Sequence, residues 1–226
     1  MTLYSAPDEP YALHIERMMT IWAGLQPRFA PTLARLFDRP MDDIVVQMLE
    51  AHDLGKLTAR WQAGIRHGSE ARHPRLPSHA AIGAAALLQV LGQTNEVGPA
   101  AAFAVAIHHL DRSTVGELLE RPDVRAIADG LVDEGGRLRW HPEAATTAPA
   151  WLRLDEVTLA TLTAMARVLR RWSRGGPLLV LHRRRLLASA LHHVLKVCDI
   201  RAAVQRQEGG EQHPFCQILV RGGLVC

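Results

Sequence analysis

Asp42-Asp43-Ile44-Val45-Val46-Gln47-Met48-Leu49-Glu50-Ala51-His52-Asp53-Leu54-Gly55-Lys56 is the stretch on which the fold and the chemistry turn. Ile44, Met48 and His52 recur at i, i+4, i+8, so the spacing predicts a helix from Asp42 to His52 with His52 on its apolar face. Gly55 is expected to break or bend that helix and return Lys56 towards the same cavity. Adjacent His and Asp at the end of an apolar helix both need partners. A divalent cation satisfies both, taking an imidazole nitrogen and a carboxylate oxygen. The His-Asp pair alone is also compatible with a capped helix end. The full string with Gly55 and Lys56 is more specific.

Working outward, four further features carry chemistry. His108-His109 follows Val105-Ala106-Ile107 in a helix expected to run from the Glu96-Val97-Gly98-Pro99 start to about Leu110. Helical neighbours diverge by about 100°, so the pair reads as two ligands for different ions, or as one packed and one exposed histidine. His79 heads a helix expected to be capped by Ser78 and to end near Leu91, with Ile82, Gly83, Ala86 and Leu87 on its face. His14 shares a face with Met18, Ile21 and Trp22 in a helix from Ala12 to Leu25. Asp199 sits beside Cys198 on the apolar stripe Leu187, Leu191, Leu195, Cys198 of a long helix from Leu178 to about Val204. Each residue taken singly suits a packed core side chain, and a lone acid in such a stripe needs a partner.

The rest of the chain also reads helical. Of its 226 residues 48% are hydrophobic, mostly Ala and Leu, 22% are charged and only 5% aromatic, which excludes a disordered chain and favours helix over strand. Apolar runs such as Val97–His109 are too short to span a bilayer. The N-terminal stretch with Asp8 and Glu9 lacks the pattern of a signal peptide. The 3 cysteines form no disulfide framework, which points to a cytoplasmic location. Short helices are expected over Thr58–Ile65, Val115–Leu119 and Val124–Val132. Loops are expected over Arg66–Pro77 and Glu134–Pro149, and another helix over Leu154–Trp172. One strand, Phe215–Val220, is expected near the end. The expected division is a domain over 1–208 and a tail over 209–226.

The net charge is +3, but its distribution is uneven. No acid occurs between Glu156 and Asp199, while Arg167, Arg170, Arg171, Arg174, Arg183, Arg184 and Arg185 fall within that stretch. Guanidinium groups pair bidentately with phosphate, so the stretch suits a nucleic-acid backbone. It also suits a solvated helical face. Of the 26 basic residues only Lys56 and Lys196 are lysine.

In order along the chain, His14, His52-Asp53, His79, His108-His109 and Asp199 resemble the pattern of the HD phosphohydrolase superfamily. His-Asp-x-Gly-Lys followed five positions later by Trp61-Gln62 resembles, more narrowly, the HD nuclease of the CRISPR type I interference nuclease–helicase, in its stand-alone form. The resemblance covers His14 to about Ala203. It implies an all-α HD-domain helical bundle around one or two divalent transition-metal ions, with Mn, Co, Ni or Fe favoured over Mg by the mixed nitrogen and oxygen donors. It implies that His14, His52, Asp53 and Asp199 hold one ion. Asp53 would bridge to a second held by His79, His108 and His109, with Asp53 and Lys56 catalytic. The family often has a hydroxyl residue where this chain has Ala203. The chain carries no Gly-x-x-x-x-Gly-Lys-Ser/Thr loop, so the resemblance implies a separate ATP-dependent helicase and an RNA-guided surveillance complex as partners, with single-stranded DNA as substrate. The rival expectations are an HD phosphohydrolase acting on nucleotides or cyclic nucleotides, and a non-catalytic subunit of a DNA-targeting complex.

Overall fold

The structure is a computed structural model that describes residues 2–66, 79–109 and 130–205. The helices expected over Val115–Leu119 and Val124–Val132 lie wholly or mostly outside those residues. So do nearly all of the loop Arg66–Pro77, the Ser78 cap, the strand Phe215–Val220 and the tail 209–226. The described elements are almost all helical: β1 Tyr4–Ala6, β2 Glu9–Pro10, α1 Tyr11–Phe37, α2 Asp42–Ala51, α3 Ala59–Arg66, α4 Ala80–Leu91, α5 Val97–Ala106, α6 Ala144–Thr147, α7 Leu159–Arg174 and α8 Leu178–Val204. Short 3₁₀ turns occupy Leu54–Leu57 and Leu154–Glu156. The all-α expectation therefore holds.

Two long helices frame the molecule. α1 packs along α8, α4 and α5 pack on each other and both pack on α2 and α7, and α5 also packs on α8. α4 and α5 are buried on nearly every face. Their Ala81, Ala84, Ala85, Ala100, Ala101, Ala102 and Ala104 are essentially inaccessible to solvent. Alanine gives good helix propensity without bulk, so two such helices approach closely and form the centre of the core. Met18, Leu25, Met48, Leu49, Leu87, Leu191 and Leu195 fill the space around them.

Several boundaries differ from expectation, for identifiable reasons. α1 continues to Phe37 through Pro27 and Pro31. Proline costs a helical hydrogen bond, but both prolines lie on the exposed side while Leu25, Leu33 and Phe37 keep a buried stripe on the other. Water can therefore serve the released carbonyls. α5 stops at Ala106, so His108 and His109 sit in a turn beyond the helix and not within it. α7 restarts after a 3₁₀ turn at a Thr158–Thr161 capping box. The segment expected as a plain loop over Glu134–Pro149 holds α6 and is pinned by isolated bridges Val132–Leu138, Thr58–Trp140 and Arg137–Thr158. An antiparallel ribbon of β1 and β2, which the sequence did not signal, precedes α1.

Two glycines set how closely α4 approaches the His52-Asp53 turn. A methyl group on Gly55 would lie 2.6 Å from the Cα and the carbonyl oxygen of His79. One on Gly83 would lie 1.9 Å from the carbonyl oxygen of Ala51. Gly55 thus serves close approach between backbones. Neither substitution can be relieved by moving a flexible side chain. Gly55→Ala and Gly83→Ala are each expected to destabilise the protein by about 1–3 kcal/mol or more, read as a lower urea midpoint with an unchanged slope. Midpoints within 0.5 kcal/mol of the parent (about the scatter of neutral surface changes) would contradict this packing.

Candidate metal centre

Six segments deliver side chains to one buried cavity. α1 contributes His14, the end of α2 contributes His52 and Asp53, and the 3₁₀ turn contributes Lys56. His79 comes from the N-cap of α4, His108 and His109 from the turn after α5, and Asp199 from α8. His14, His52, Asp53, His79 and His108 are all buried, with His52 and His108 at 0% exposure.

Asp53 is the centre of this arrangement. Its Oδ2 lies 3.4 Å from His52 Nε2 and 3.8 Å from His14 Nε2. Those two nitrogens lie 3.8 and 3.5 Å from Asp199 Oδ1. Its other oxygen, Oδ1, lies 3.0 Å from His79 Nε2 and 3.9 Å from His108 Nε2. His79 Nε2 in turn lies 3.0 Å from His109 Nε2. The donor atoms fall into two groups, His14/His52/Asp199 and Asp53/His79/His108/His109, within each of which all lie within 4.8 Å of one another.

The outer partners orient the rings. His52 Nδ1–H donates to Leu49 O at 2.7 Å, and His108 Nδ1–H donates to Val105 O at 2.6 Å. Both rings therefore turn Nε2 inward, towards the cavity. His14 Nδ1 lies 3.3 Å from Glu9 Oε1. Glu9 is 2% exposed and is itself held by Arg17 at 3.0 Å and Ser5 at 3.0 Å. The β1–β2 ribbon thus places a carboxylate behind His14. Sequence reasoning read Glu9 only as part of an unremarkable N-terminus. The available signal was an acid just ahead of a helix whose first turn carries a candidate ligand.

Trp61 and Gln62 hold the turn. The Trp61 ring meets His79 edge-on at 4.8 Å. Gln62 Nε2 donates to Tyr4 O at 2.8 Å and to Lys56 O at 2.7 Å, and its Oε1 accepts from Tyr4 N at 3.0 Å.

Within the protein His14 Nε2, His52 Nε2, His108 Nε2 and Asp53 Oδ1 are buried without a well-directed hydrogen-bond partner. Each such atom costs about 1–3 kcal/mol when left unsatisfied. All four point into the shared hollow, which is where a cation would repay that cost. The spacings fit. Ligands at about 2.1 Å from an ion stand about 3.0 Å apart in octahedral and about 3.4 Å apart in tetrahedral geometry. The closer donor–donor contacts, 3.0 to 3.5 Å, match those spacings, and the remaining donors of each group lie within 4.8 Å. These buried groups could hold a metal ion, and their imidazole-rich character suits a transition metal.

The two halves differ electrostatically. Burial, together with the neighbouring histidines, pulls His79 and His108 below the usual imidazole range and takes His109 down to about 4. All three are neutral near pH 7 and present lone pairs. Burial also acts against a charged His14, but the neighbouring carboxylates of Asp199, Glu9 and Asp53 outweigh it and raise His14 to about 9. Asp53 resists desolvation and stays ionised through His52 and Lys56, and Asp199 does so through His14 and His52. Lys56 Nζ donates to Asp53 Oδ2.

The arginines lie elsewhere. Arg167, Arg170, Arg171 and Arg174 are exposed along α7, and Arg185 is exposed on α8. Arg184 Nη1 donates to Trp172 O at 2.9 Å and to Gly175 O at 2.7 Å, which satisfies the end of α7, and its Nε faces Glu96 at 3.4 Å. Arg183 faces Glu96 at 3.2 Å and Asp38 at 3.6 Å. Sixteen residues of one helix separate Arg183 from Asp199, about 24 Å along the axis. Cys198 is fully buried beside Asp199, and burial pushes its thiol up to about 12, consistent with a packed side chain.

No family model and no curated protein matches the chain. Among solved structures, it is similar to the CRISPR-associated Cas3 HD domain protein from Methanocaldococcus jannaschii. The TM-score is 0.64 at 14% identity, and the alignment covers 86% of this chain and 99% of that one. At this identity the likeness is one of fold, and the fold is that of the Cas3-type HD domain. Among the described residues no helix is long and apolar enough to cross a membrane.

The elevated pKa of His14 has a signed consequence. Its folded value, about 9, exceeds the ordinary imidazole value of 6.5, so its contribution is complete below about pH 6.5 and fades as pH rises through 9. With a chelator present, stability is expected to fall by on the order of 3 kcal/mol between pH 6.5 and 9.5. His14→Gln should remove most of that slope. Urea titrations across the range check this, and an equal slope in both proteins would contradict it.

Proposed function

We propose that this chain is a metal-dependent HD nuclease that cleaves single-stranded DNA in CRISPR type I interference, working with a separate ATP-dependent helicase and an RNA-guided surveillance complex. The observation that carries this reading is the Asp53 carboxylate set between two groups of converging donor atoms, of which His14 Nε2, His52 Nε2, His108 Nε2 and Asp53 Oδ1 are unpartnered. The Cas3-type fold supports it independently.

In this reading His14, His52, Asp53 and Asp199 would hold one divalent ion. His79, His108 and His109, with Asp53, would hold a second. Bound there, such ions supply Lewis-acid polarisation of a phosphodiester and acidification of water to near neutrality. The protein's own side chains do the rest. His79, His108 and His109 remain neutral near pH 7 because burial disfavours their protonated forms, so no proton competes for their lone pairs. Asp53 remains a carboxylate and keeps both oxygens available. Lys56 has three donors, of which Asp53 takes one. The others stabilise negative charge on the phosphoryl oxygens as it develops.

Arg167, Arg170, Arg171, Arg174 and Arg185 are exposed and attract the DNA backbone as a basic surface. Arg183 and Arg184 join them only by giving up bonds within the protein. Trp61 supports His79 by packing edge-on against its ring.

Asp53→Ala is expected to abolish cleavage of circular single-stranded DNA while leaving partner binding intact. The parent protein should cut with Mn, Co or Ni and poorly with Mg. Hydrolysis of nucleotides with no action on polymers would move the site to the phosphohydrolase alternative. DNA binding should weaken steeply with salt. Replacing Arg167, Arg170, Arg171 and Arg174 with Gln should reduce the logarithmic salt slope by about 0.7 per lost phosphate contact. An unchanged slope would take α7 off the binding surface.

A further inference from the structure

Lys196 is the second of the two lysines in a chain whose other basic residues are arginine. Far from Lys56 in sequence, it reaches the same centre: its Nζ donates to the carbonyl oxygen of His108 at 2.7 Å. The location matters because α5 ends at Ala106. Backbone carbonyls beyond a helix end need donors from outside the helix, and a lysine at a C-terminus supplies both a hydrogen bond and a favourable charge. This one side chain ties the turn at His108 to α8. One turn further along, the same helix presents Asp199 to His14 and His52. α8 therefore touches both groups of donors, the first through Asp199 and the second through the backbone of the His108-His109 turn. A compact ammonium on a flexible stem makes this single bond where a planar guanidinium is built for two parallel ones.

We propose that Lys196 is a positioning residue of the metal centre, whose ammonium clamps the His108 carbonyl to α8 and so holds the His108-His109 pair in register with Asp199.

This inference rests on the metal reading above and goes beyond it by assigning a role to a residue that touches no ion. The test is cobalt(II) titration of the full chain, followed calorimetrically and by visible absorption of the bound ion. Asp199→Ala identifies which binding event belongs to the other group. Lys196→Met keeps the apolar stem and removes the donor. It is expected to weaken the event assigned to His79, His108 and His109 by about 10–100-fold, the range typical of lost outer partners, and to change that ion's absorption spectrum. The other event should stay within about twofold, within the scatter expected of independent sites. A merely structural lysine would lower the melting temperature and leave both affinities alone, and that result overturns the proposal. Equal weakening of both events overturns it too. Lys196→Gln, whose shorter amide falls short of the carbonyl, repeats the test if the methionine variant does not fold. If the parent protein binds no cobalt, the metal reading fails and takes this inference with it. If the parent binds cobalt at both groups and Lys196→Met is unchanged, only the inference fails.

Discussion

One carboxylate, Asp53, organises the molecule. It is 1% exposed, and its ionised form survives there only because His52, Lys56 and His79 surround it. Burying a charge without partners costs far more than the few kcal/mol by which folded proteins are stable. The chain therefore has to bring its cationic and imidazole groups to this point from five separate segments. The two oxygens face different neighbours, and this division sets two groups of donor atoms side by side in the cavity.

The packing around Asp53 follows from that requirement. α4 and α5 are alanine-rich because larger side chains would hold their ends, and hence His79 and His108-His109, away from the turn. Gly55 and Gly83 remove the last obstacles between α4 and the His52-Asp53 backbone. Gln62 fastens the N-terminal ribbon to the carbonyl of Lys56, and the ribbon returns the favour by placing Glu9 behind His14. The outer partners of the three best-oriented rings differ in kind. His52 and His108 lean on backbone carbonyls, whereas His14 leans on a buried carboxylate. That difference, together with Asp199, concentrates negative charge on one half of the centre and leaves three neutral imidazoles on the other. The two halves are thus suited to hold cations with unequal affinity.

Much of this was legible in the sequence. Helical periodicity placed α2 and α8 nearly to the residue, because each has an uninterrupted apolar stripe and conventional ends. The order of His14, His52-Asp53, His79, His108-His109 and Asp199 brought out the donor set. Three things were not legible. α1 runs on past Leu25 because solvent-facing prolines spare the buried side, which propensity alone does not register. The end of α5 at Ala106 decides that His108 and His109 face one cavity, with ring centroids 3.9 Å apart, and helical spacing suggested the opposite. Glu9 and Lys196 act through a neighbour's ring nitrogen and a neighbour's carbonyl, so no motif spacing announces them. For the arginine-rich stretch, composition gave the charge but not its partners. Arg183 and Arg184 turn out to hold α7, α8 and the loops near Glu96 and Asp38 together.

The most direct test of the central claim is anomalous diffraction from crystals of the protein loaded with cobalt. The account predicts anomalous density in the hollow within bonding distance of both oxygens of Asp53, bounded by His14, His52 and Asp199 on one side and by His79, His108 and His109 on the other. Cobalt confined to surface histidines, with Asp53 free of metal, would contradict it.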